Sequence, residues 1–371
     1  MFLSENVLNS LRTERGFKPT TVKNIDNSLK RIFKNVFNTD RYNPDMLYRI
    51  NDIETFLNTL KNSVAKTITN SILAVISLHD SNLNDLKQPY TEIFEQYVKK
   101  HTTEYVVAPV SDRDKKKYLS LEALAHKRDL WLDVYKKSCH LDTSTDTGTN
   151  DSGNEITLNE NCSKIIYQKY LVASLYTYLP PLRGQEYFNC HFQAFAFGTS
   201  DNTYIQYVKQ SESNLLDIVN WKLIVAFYKT QSKYNIRIIT LPPILVRVIK
   251  PWIQLNDSVD NWFLINMKNE QMTTSTFTHF LKRTFGNDIS VDMLRKIYIS
   301  EIIRYITNDF HFKQTDDSSS LSGKMALIMA HAVETQRTVY NKFGMNIFNI
   351  SSPVYMNSVI NLLTQTNVVS V

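Results

Sequence analysis

The chain has 371 residues, 43% of them apolar, which is enough to bury a sizeable core and favours two domains. Its formal net charge of +6 favours a partner that carries phosphates without requiring one. The three cysteines are scattered and form no CxxC pair, so the sequence indicates neither a disulfide framework nor a zinc site. It shows no signal-peptide pattern and no apolar run of membrane-spanning length. We therefore expect an intracellular protein that is not secreted and has no membrane partner.

Helical periodicity dominates the first hundred residues. Residues 19–21 can begin a helix, and apolar residues then recur at helical spacing as far as Val36. The outer face of this helix carries four cations, Lys23, Lys30, Arg31 and Lys34. Further amphipathic segments occupy residues 53–60, 67–78 and 90–97. Residues 106–117 then break the periodicity with a proline and a run of charges, which is typical of an interdomain linker.

Helical patterns also dominate the rest of the chain, with one polar interruption. Residues 142–161 contain no lysine or arginine and many small polar residues, which predicts a solvated, mobile loop. Three β-branched and aromatic runs predict strands at residues 204–208, 223–228 and 236–241. A polar turn separates the last two, which predicts a hairpin. Helices are expected at residues 119–137, 165–178, 244–253, 274–284, 293–306 and 324–331.

These patterns predict a mainly α protein with a small antiparallel β-sheet, an α+β class. We expect a helical domain at residues 1–107, a linker at residues 108–117 and a second domain at residues 118–345. Residues 346–371 would form a C-terminal tail. Within the tail, residues 359–369 carry an apolar stripe with few charges, and a short helix of this kind needs a surface on which to dock.

Two arginines are candidates to stabilise an anionic transition state, because a guanidinium stays charged and presents paired N–H donors. Arg183 follows a double proline and precedes Glu186 by three residues. Arg295 follows Asp292 at the same spacing, in a helical segment. The alternative for each arginine is an ordinary surface pair with the neighbouring carboxylate.

A lysine in the predicted hairpin turn is the candidate proton donor. Lys229 lies at the start of this turn, where it could protonate a leaving oxygen. Lys233, on the same turn, is an alternative for this role. A lysine in an exposed turn often only increases solubility, so that interpretation also stays open.

A histidine and a tyrosine near the C-terminus complete the set of candidates. His331 precedes Tyr340 by nine residues, across a pattern that predicts a helix end, a turn and a new helix. Free tyrosine titrates near pH 10, so a nucleophilic phenol needs neighbouring positive charge and proton acceptors. The chain has 20 tyrosines, and the histidine spacing distinguishes Tyr340 from Tyr298, Tyr305 and Tyr355.

In the order arginine, lysine, arginine, histidine and tyrosine, these motifs resemble the tyrosine recombinase (phage-type integrase) family. The resemblance covers roughly residues 117–345. Over the first hundred residues, only the helical character is similar to that of the family's core-binding domain. The resemblance implies that this domain and a catalytic domain grip duplex DNA from opposite sides.

The resemblance also implies a role for each candidate residue. Tyr340 would attack the scissile phosphate to give a 3′-phosphotyrosine, and Lys229 would act as general acid. Arg183, Arg295 and His331 would hold the phosphate, with Glu186 as the partner of Arg183. Neither a carboxylate cluster for two-metal chemistry nor a Gly-rich phosphate loop is present in the sequence, so we expect no metal and no cofactor.

The sequence departs from the family pattern at two places. Asp292 stands where the family normally has a histidine that helps to manage the proton of the nucleophile, and an aspartate could only accept a proton or orient Arg295. Arg295 and His331 are also further apart than usual, because residues 308–320 form a polar insertion. His311, within this insertion, could substitute for the missing histidine.

The expected function is therefore site-specific DNA recombination or integration by an enzyme of a virus or other mobile element. Its partners would be double-stranded DNA and three further copies of the chain, in a tetramer on paired sites. The tail would pack either on a neighbouring protomer or on its own catalytic domain. The alternatives are a type IB topoisomerase-like or telomere-resolving enzyme, or a catalytically decayed recombinase that only binds DNA. The DNA contacts would come from Lys23, Lys30, Arg31, Lys34, Lys233 and Arg237.

Overall fold

The computed structural model describes residues 2–78, 83–107, 111–141, 160–229, 231, 235–286, 288–308, 317–329 and 351–371. The chain divides into two units, Met1–Ala108 and Pro109–Val371. It is mainly helical and contains a small five-stranded sheet, which confirms the predicted α+β class. Among the helices of the described ranges, none is both long enough and apolar enough to cross a membrane.

Helices with one apolar face form the first unit. In α2, apolar side chains at helical spacing, among them Val22, Leu29 and Phe33, are buried in the core of this unit. Pro19 begins this helix, where the missing N–H of a proline costs no hydrogen bond. The helices are α1 (Glu5–Thr13), α2 (Pro19–Val36), α3 (Ile50–Asn58), α4 (Asn62–Ile76) and α5 (Asn84–Val107), with a 3₁₀ turn at Pro44–Tyr48.

The second unit contains ten helices within the described ranges. The longest two, α7 and α8, pack against each other, and α8 contributes aromatic side chains such as Tyr167 and Tyr176 to the core of this unit. The short helix α6 lies within the segment that the sequence predicts as a linker. The helices are α6 (Asp112–Lys117), α7 (Leu121–Leu141), α8 (Glu160–Tyr178), α9 (Gly184–Phe188), α10 (Asp201–Ser211), α11 (Pro243–Leu255), α12 (Thr274–Phe285), α13 (Val291–Asn308), α14 (Asp317–Met329) and α15 (Pro353–Gln365).

The sheet of the second unit is mixed rather than purely antiparallel. Its strands are β1 (Cys190–Gln193), β2 (Asn214–Asp217), β3 (Lys222–Val225), β4 (Arg237–Thr240) and β5 (Val368–Ser370), and they lie in this order. Strands β1 and β2 are parallel, and the other pairs are antiparallel. The predicted hairpin is present as β3 and β4, with Leu223 opposite Ile239.

The predicted strand at residues 204–208 is wrong, because these residues belong to helix α10. The hydroxyl of Ser200 accepts a hydrogen bond from the Thr203 backbone N–H and caps the helix. Tyr204 and Val208, one helical turn apart, are both fully buried. Burial of a helical face therefore overrides the β propensity of aromatic and β-branched residues, which is only a weak preference.

The C-terminal tail packs on the second unit, to which it belongs. Helix α15 buries Met356, Val359, Ile360 and Leu363 in the core of that unit. Strand β5 extends the sheet beyond β4, with Val369 opposite Ile238. These contacts lie within one copy of the chain, and the packing of the tail on a neighbouring protomer stays a prediction.

We expect Leu363→Ala to lower the free energy of unfolding of the second unit by about 2–5 kcal/mol, because it leaves a cavity beneath α15. Val354, on the same helix, is 81% exposed, so Val354→Ala should change it little. All 4 tryptophans lie after residue 108, and urea unfolding followed by tryptophan fluorescence therefore reports on this unit. Equal effects of the two substitutions would contradict the packing of the tail on this unit.

Candidate functional site

Arg183 and Glu186 lie at the N-terminus of helix α9, just after the double proline that follows α8. The backbone N–H of Arg183 donates to Glu186 Oε2 at 2.8 Å, and Arg183 Nη1 lies 3.7 Å from Oε1. The Glu186 side chain is fully buried, whereas that of Arg183 is 26% exposed. Gly184 is needed here, because a Cβ atom at this position would lie 2.5 Å from the Phe277 ring of α12.

The same carboxylate holds a second arginine. Arg237 Nη2 lies 3.3 Å from Glu186 Oε1, and both side chains are 0% exposed. Arg237 Nη1 donates to the backbone carbonyl of Ile328 in α14, and the guanidinium lies over the Tyr228 ring, 4.2 Å from its centroid. The predicted position of Arg237 on a DNA-facing surface is therefore wrong. The signal that could have shown this is its place among the isoleucines of a strand, Ile236, Ile238 and Ile239.

Arg295 is the third arginine, on helix α13, and it is 2% exposed. Its Nη1 donates to the carbonyl of Pro181 at 2.8 Å, and its Nη2 donates to the carbonyl of Met329 at 2.9 Å. Met329 ends helix α14, and the last carbonyls of a helix have no partner within it and favour cations. Arg295 and Arg237 therefore both bind the final turn of α14.

We call Arg183, Arg237, Arg295 and Glu186 the arginine cluster. It joins α9, β4, α13 and the end of α14, which come from distant parts of the sequence. Arg183 and Arg237 both lie within 4 Å of the Glu186 carboxylate, and Arg295 binds the same final turn of α14 as Arg237. Among the described residues, the cluster thus has three guanidinium groups and one carboxylate, an excess of positive charge. Fixed donors with an excess of positive charge can stabilise an oxyanion without reorganising.

Two tyrosines near the cluster are unsuited to nucleophilic attack. The rings of Tyr176 and Tyr187 are in edge contact, 5.7 Å apart, and both side chains are fully buried. Burial raises the pKa of both phenols, and the charge of Glu186 adds to this effect. Both phenols therefore stay protonated and out of reach of a macromolecular substrate.

Lys229 is exposed and follows Tyr228 directly in the chain. The Tyr228 ring stacks on Arg237, so the start of the hairpin turn is attached to the arginine cluster. Lys233, the alternative lysine, lies outside the described residues.

Asp292 takes part in a different set of contacts. Its carboxylate is 60% exposed and lies 3.1 Å from Lys296 Nζ on the next turn of α13. Lys296 Nζ also lies 3.6 Å from a carboxylate oxygen of Asp114 in α6. Asp292 is thus part of an ion-pair network at the start of α13.

His331 and Tyr340 lie outside the described residues, and so does His311. The structure does describe the tyrosines that compete with Tyr340 as nucleophile. Tyr298 is fully buried, and burial raises its pKa. Burial also raises the pKa of Tyr355, and the Tyr305 hydroxyl donates to Asn357.

The cations predicted on the first unit are exposed. Helix α2 buries its apolar face and presents the opposite face to solvent, with Lys23, Lys30, Arg31 and Lys34. Their placement is that of a basic surface, which suits phosphate contacts. In the part of the chain that the structure describes, no three His, Cys, Asp or Glu side chains gather as metal ligands.

No protein-family model matches this chain, and a search of curated proteins also finds no match. The crystal structure of XerA recombinase aligns with 96% of this chain and 96% of its own, at 11% sequence identity. The TM-score of this alignment is 0.32, which is too low to establish a common fold.

We expect Glu186→Gln to destabilise the second unit by about 3–5 kcal/mol, because it leaves Arg237 buried without a counter-charge. Glu212→Gln removes an exposed carboxylate from the same unit and should have little effect. Urea unfolding followed by tryptophan fluorescence measures both.

A double-mutant cycle tests whether the loss of stability comes from this pair. Arg237→Met combined with Glu186→Gln should cost less than the sum of the two single changes. Additive losses would show that the two side chains do not depend on each other.

Proposed function

We propose that this protein cuts and rejoins double-stranded DNA through a 3′-phosphotyrosine intermediate, as a site-specific recombinase. The observation that carries the proposal is the arginine cluster at the end of α14. The side chains of Arg237 and Arg295 bind the carbonyls of Ile328 and Met329. The sequence motif with the proposed histidine and tyrosine starts immediately after this helix.

Chain connectivity limits how far His331 can be from the cluster. His331 follows Met329 by two residues, and two residues span at most about 7 Å. The carbonyl of Met329 is itself 2.9 Å from Arg295 Nη2. The short separation between Met329 and His331 in the sequence supports the proposed role for His331 beside the guanidinium groups.

The proposed reaction begins when the Tyr340 phenolate oxygen bonds to phosphorus. Negative charge then accumulates on the non-bridging oxygens, and guanidinium donors stabilise this charge. The bond from phosphorus to the 5′ oxygen breaks, and the ammonium of Lys229 gives that oxygen its proton. The phosphotyrosine bond conserves the energy of the cleaved bond, so a 5′ hydroxyl can reverse the step without a nucleotide cofactor.

We assign different roles to the three arginines, and the exposure and contacts of each side chain support this assignment. Arg183 is the most exposed of them, at 26%, and would contact the phosphate from the solvent side. Arg295 is buried as well, and its positive charge would act on the phosphate from beside the end of α14 rather than through direct contact. Arg237 is fully enclosed and would serve to hold Glu186 and α14 in place.

The raised pKa values of the buried tyrosines also support Tyr340 as nucleophile. Tyr176 and Tyr187 lie near the cluster but are fully buried, and Tyr298 on α13 is fully buried as well. A nucleophile must reach the DNA and lose its proton. The motif that contains His331 and Tyr340 is therefore the better source of the phenol.

The proposal includes duplex DNA and a tetramer on paired sites as partners, and an origin in a virus or other mobile element. Lys23, Lys30, Arg31 and Lys34 would contact phosphates from the first unit. Four protomers are needed because recombination cuts two sites on both strands. Packing of the tail on a neighbouring protomer would join these protomers, in place of the packing on its own domain that the single chain shows.

We expect Tyr340→Phe to bind DNA as the wild type does and to form no covalent adduct, because it lacks the attacking oxygen. A nicked suicide substrate traps the adduct, which denaturing electrophoresis then separates from free protein. Tyr305→Phe is the control and should still form it. An adduct with Tyr340→Phe would refute the assignment, and binding without any adduct in the wild type would favour a decayed recombinase.

We expect Arg183→Ala to slow adduct formation by roughly a hundredfold or more, because it removes a donor to the developing charge. Affinity for DNA should fall far less, since many other cations contribute to it. Arg183 is a better probe than the buried Arg295, whose removal would also release two carbonyls. Arg247→Ala removes an exposed arginine of the same unit and is the control. Equal losses in cleavage and binding would make Arg183 a positioning group only.

A further inference from the structure

A second group of cations lies on helices α8 and α12, apart from the residues of the arginine cluster. Lys169 Nζ on α8 lies over the Trp131 ring of α7, 3.9 Å from its centroid. The Trp131 indole N–H donates to the carbonyl of Thr284 at 2.9 Å, which fixes the ring against α12. Arg283 precedes Thr284 in the chain and is exposed. Lys169 therefore lies over an oriented aromatic ring, and Arg283 is the neighbour in the chain of the residue that fixes this ring.

This surface lacks acidic partners among the described residues. Helix α12 contains no acidic residue, and α8 has one only at its first position. Within the described part of the chain, neither Lys169 nor Arg283 takes part in a hydrogen bond or an ion pair. The acidic residues nearest to Trp131 on α7 are Asp129 and Asp133, about 200° around the helix from it.

The two cations also influence each other. Partial burial lowers the pKa of Lys169, and the positive charge of Arg283 lowers it further. Among the described residues, no carboxylate is paired with either cation to offset their repulsion, so an anion bound between them would relieve it. His279 is exposed one helical turn before Arg283, on the same face of α12, and extends the surface with another nitrogen donor.

We propose that Lys169 and Arg283, beside Trp131, form a binding site for a backbone phosphate of duplex DNA. We call this the Lys169 site, and its assignment to DNA rests on the proposed function. Lysine and arginine are the usual donors to phosphate oxygens. Arg283 and His279 are exposed, so the site is a surface rather than an enclosed cavity. An isolated phosphate ion makes few contacts on such a surface, whereas a phosphate of a polymer is held there by contacts elsewhere along the duplex.

The salt dependence of DNA affinity tests this site, because each phosphate that the protein neutralises releases condensed counterions. The slope of log K against log salt concentration should become shallower by roughly 0.9 for each phosphate that a variant no longer neutralises. We expect this change in the Lys169→Gln, Arg283→Gln double variant, which no longer neutralises the phosphate, and a smaller change in each single variant, which keeps one of the two cations. The fraction of bound protein that forms the covalent adduct should not change.

Lys250→Gln is the matched control. Lys250 also lies over a tryptophan ring, 5.5 Å from the centroid of Trp221, but on a different helix, α11. Its substitution removes the same charge and the same kind of ring contact, and the slope should stay as in the wild type. An equal change in slope for Lys250→Gln would mean that only general charge matters, and would overturn the proposal.

The other outcomes separate this site from the catalytic proposal. A wild type that cuts DNA, with an unchanged slope in both variants, overturns the Lys169 site alone. A slope that depends on Lys169 and Arg283 in a protein that never forms an adduct supports the site and refutes the catalytic proposal.

The anion could also be free inorganic phosphate, and calorimetric titration with this ion tests that source. If the wild type binds this ion and the double variant does not, with no effect on DNA affinity, the site belongs to a small phosphate and the proposal is overturned. A wild type that binds no DNA would overturn it too.

Discussion

The buried carboxylate of Glu186 is the charge on which the interior of the second unit depends. Arg237 is fully enclosed, and a guanidinium in such a place is very costly without a counter-charge. Glu186 supplies this charge and also accepts the backbone N–H of Arg183 at the start of α9. One side chain thus joins a strand to a helix and, through Arg237, to the last turn of α14.

This arrangement explains how arginines in one cluster can have different tasks. A guanidinium whose donors all face the interior acts as a cross-link, and Arg237 is of this kind. A guanidinium that is partly exposed and held on one side, like that of Arg183, can present donors to a ligand at little entropic cost. Burial, rather than residue type, distinguishes the arginine that supports the site from the arginine that can contact a ligand.

The C-terminal tail packs against β4 and α13, two of the elements that hold the arginine cluster. Strand β5 covers the edge of β4, the strand that carries Arg237, and an uncovered edge would offer its unpaired backbone groups to other chains. Helix α15 closes the core on the side of α13. Ser351 and Ser352 lead into α15, and their hydroxyls are hydrogen-bonded to the carboxylates of Glu301 and Glu122. The chain is therefore fixed at both Met329 and Ser351, on either side of the motif with His331 and Tyr340.

The sequence by itself determined the helices, the hairpin and the ion pair that depend only on residues close together in the chain. Apolar spacing predicted α2, α8 and α12 because helical periodicity is local, and a polar turn between two β-branched runs predicted the β3–β4 hairpin. The contact between Arg183 and Glu186 could also be anticipated, since the two residues are one helical turn apart. Only the tertiary structure decided that Glu186 also pairs with Arg237, because 51 residues separate them and α14 must cover β4 before the arginine is enclosed. The helix at residues 204–208 likewise depends on a buried face that local propensity does not show.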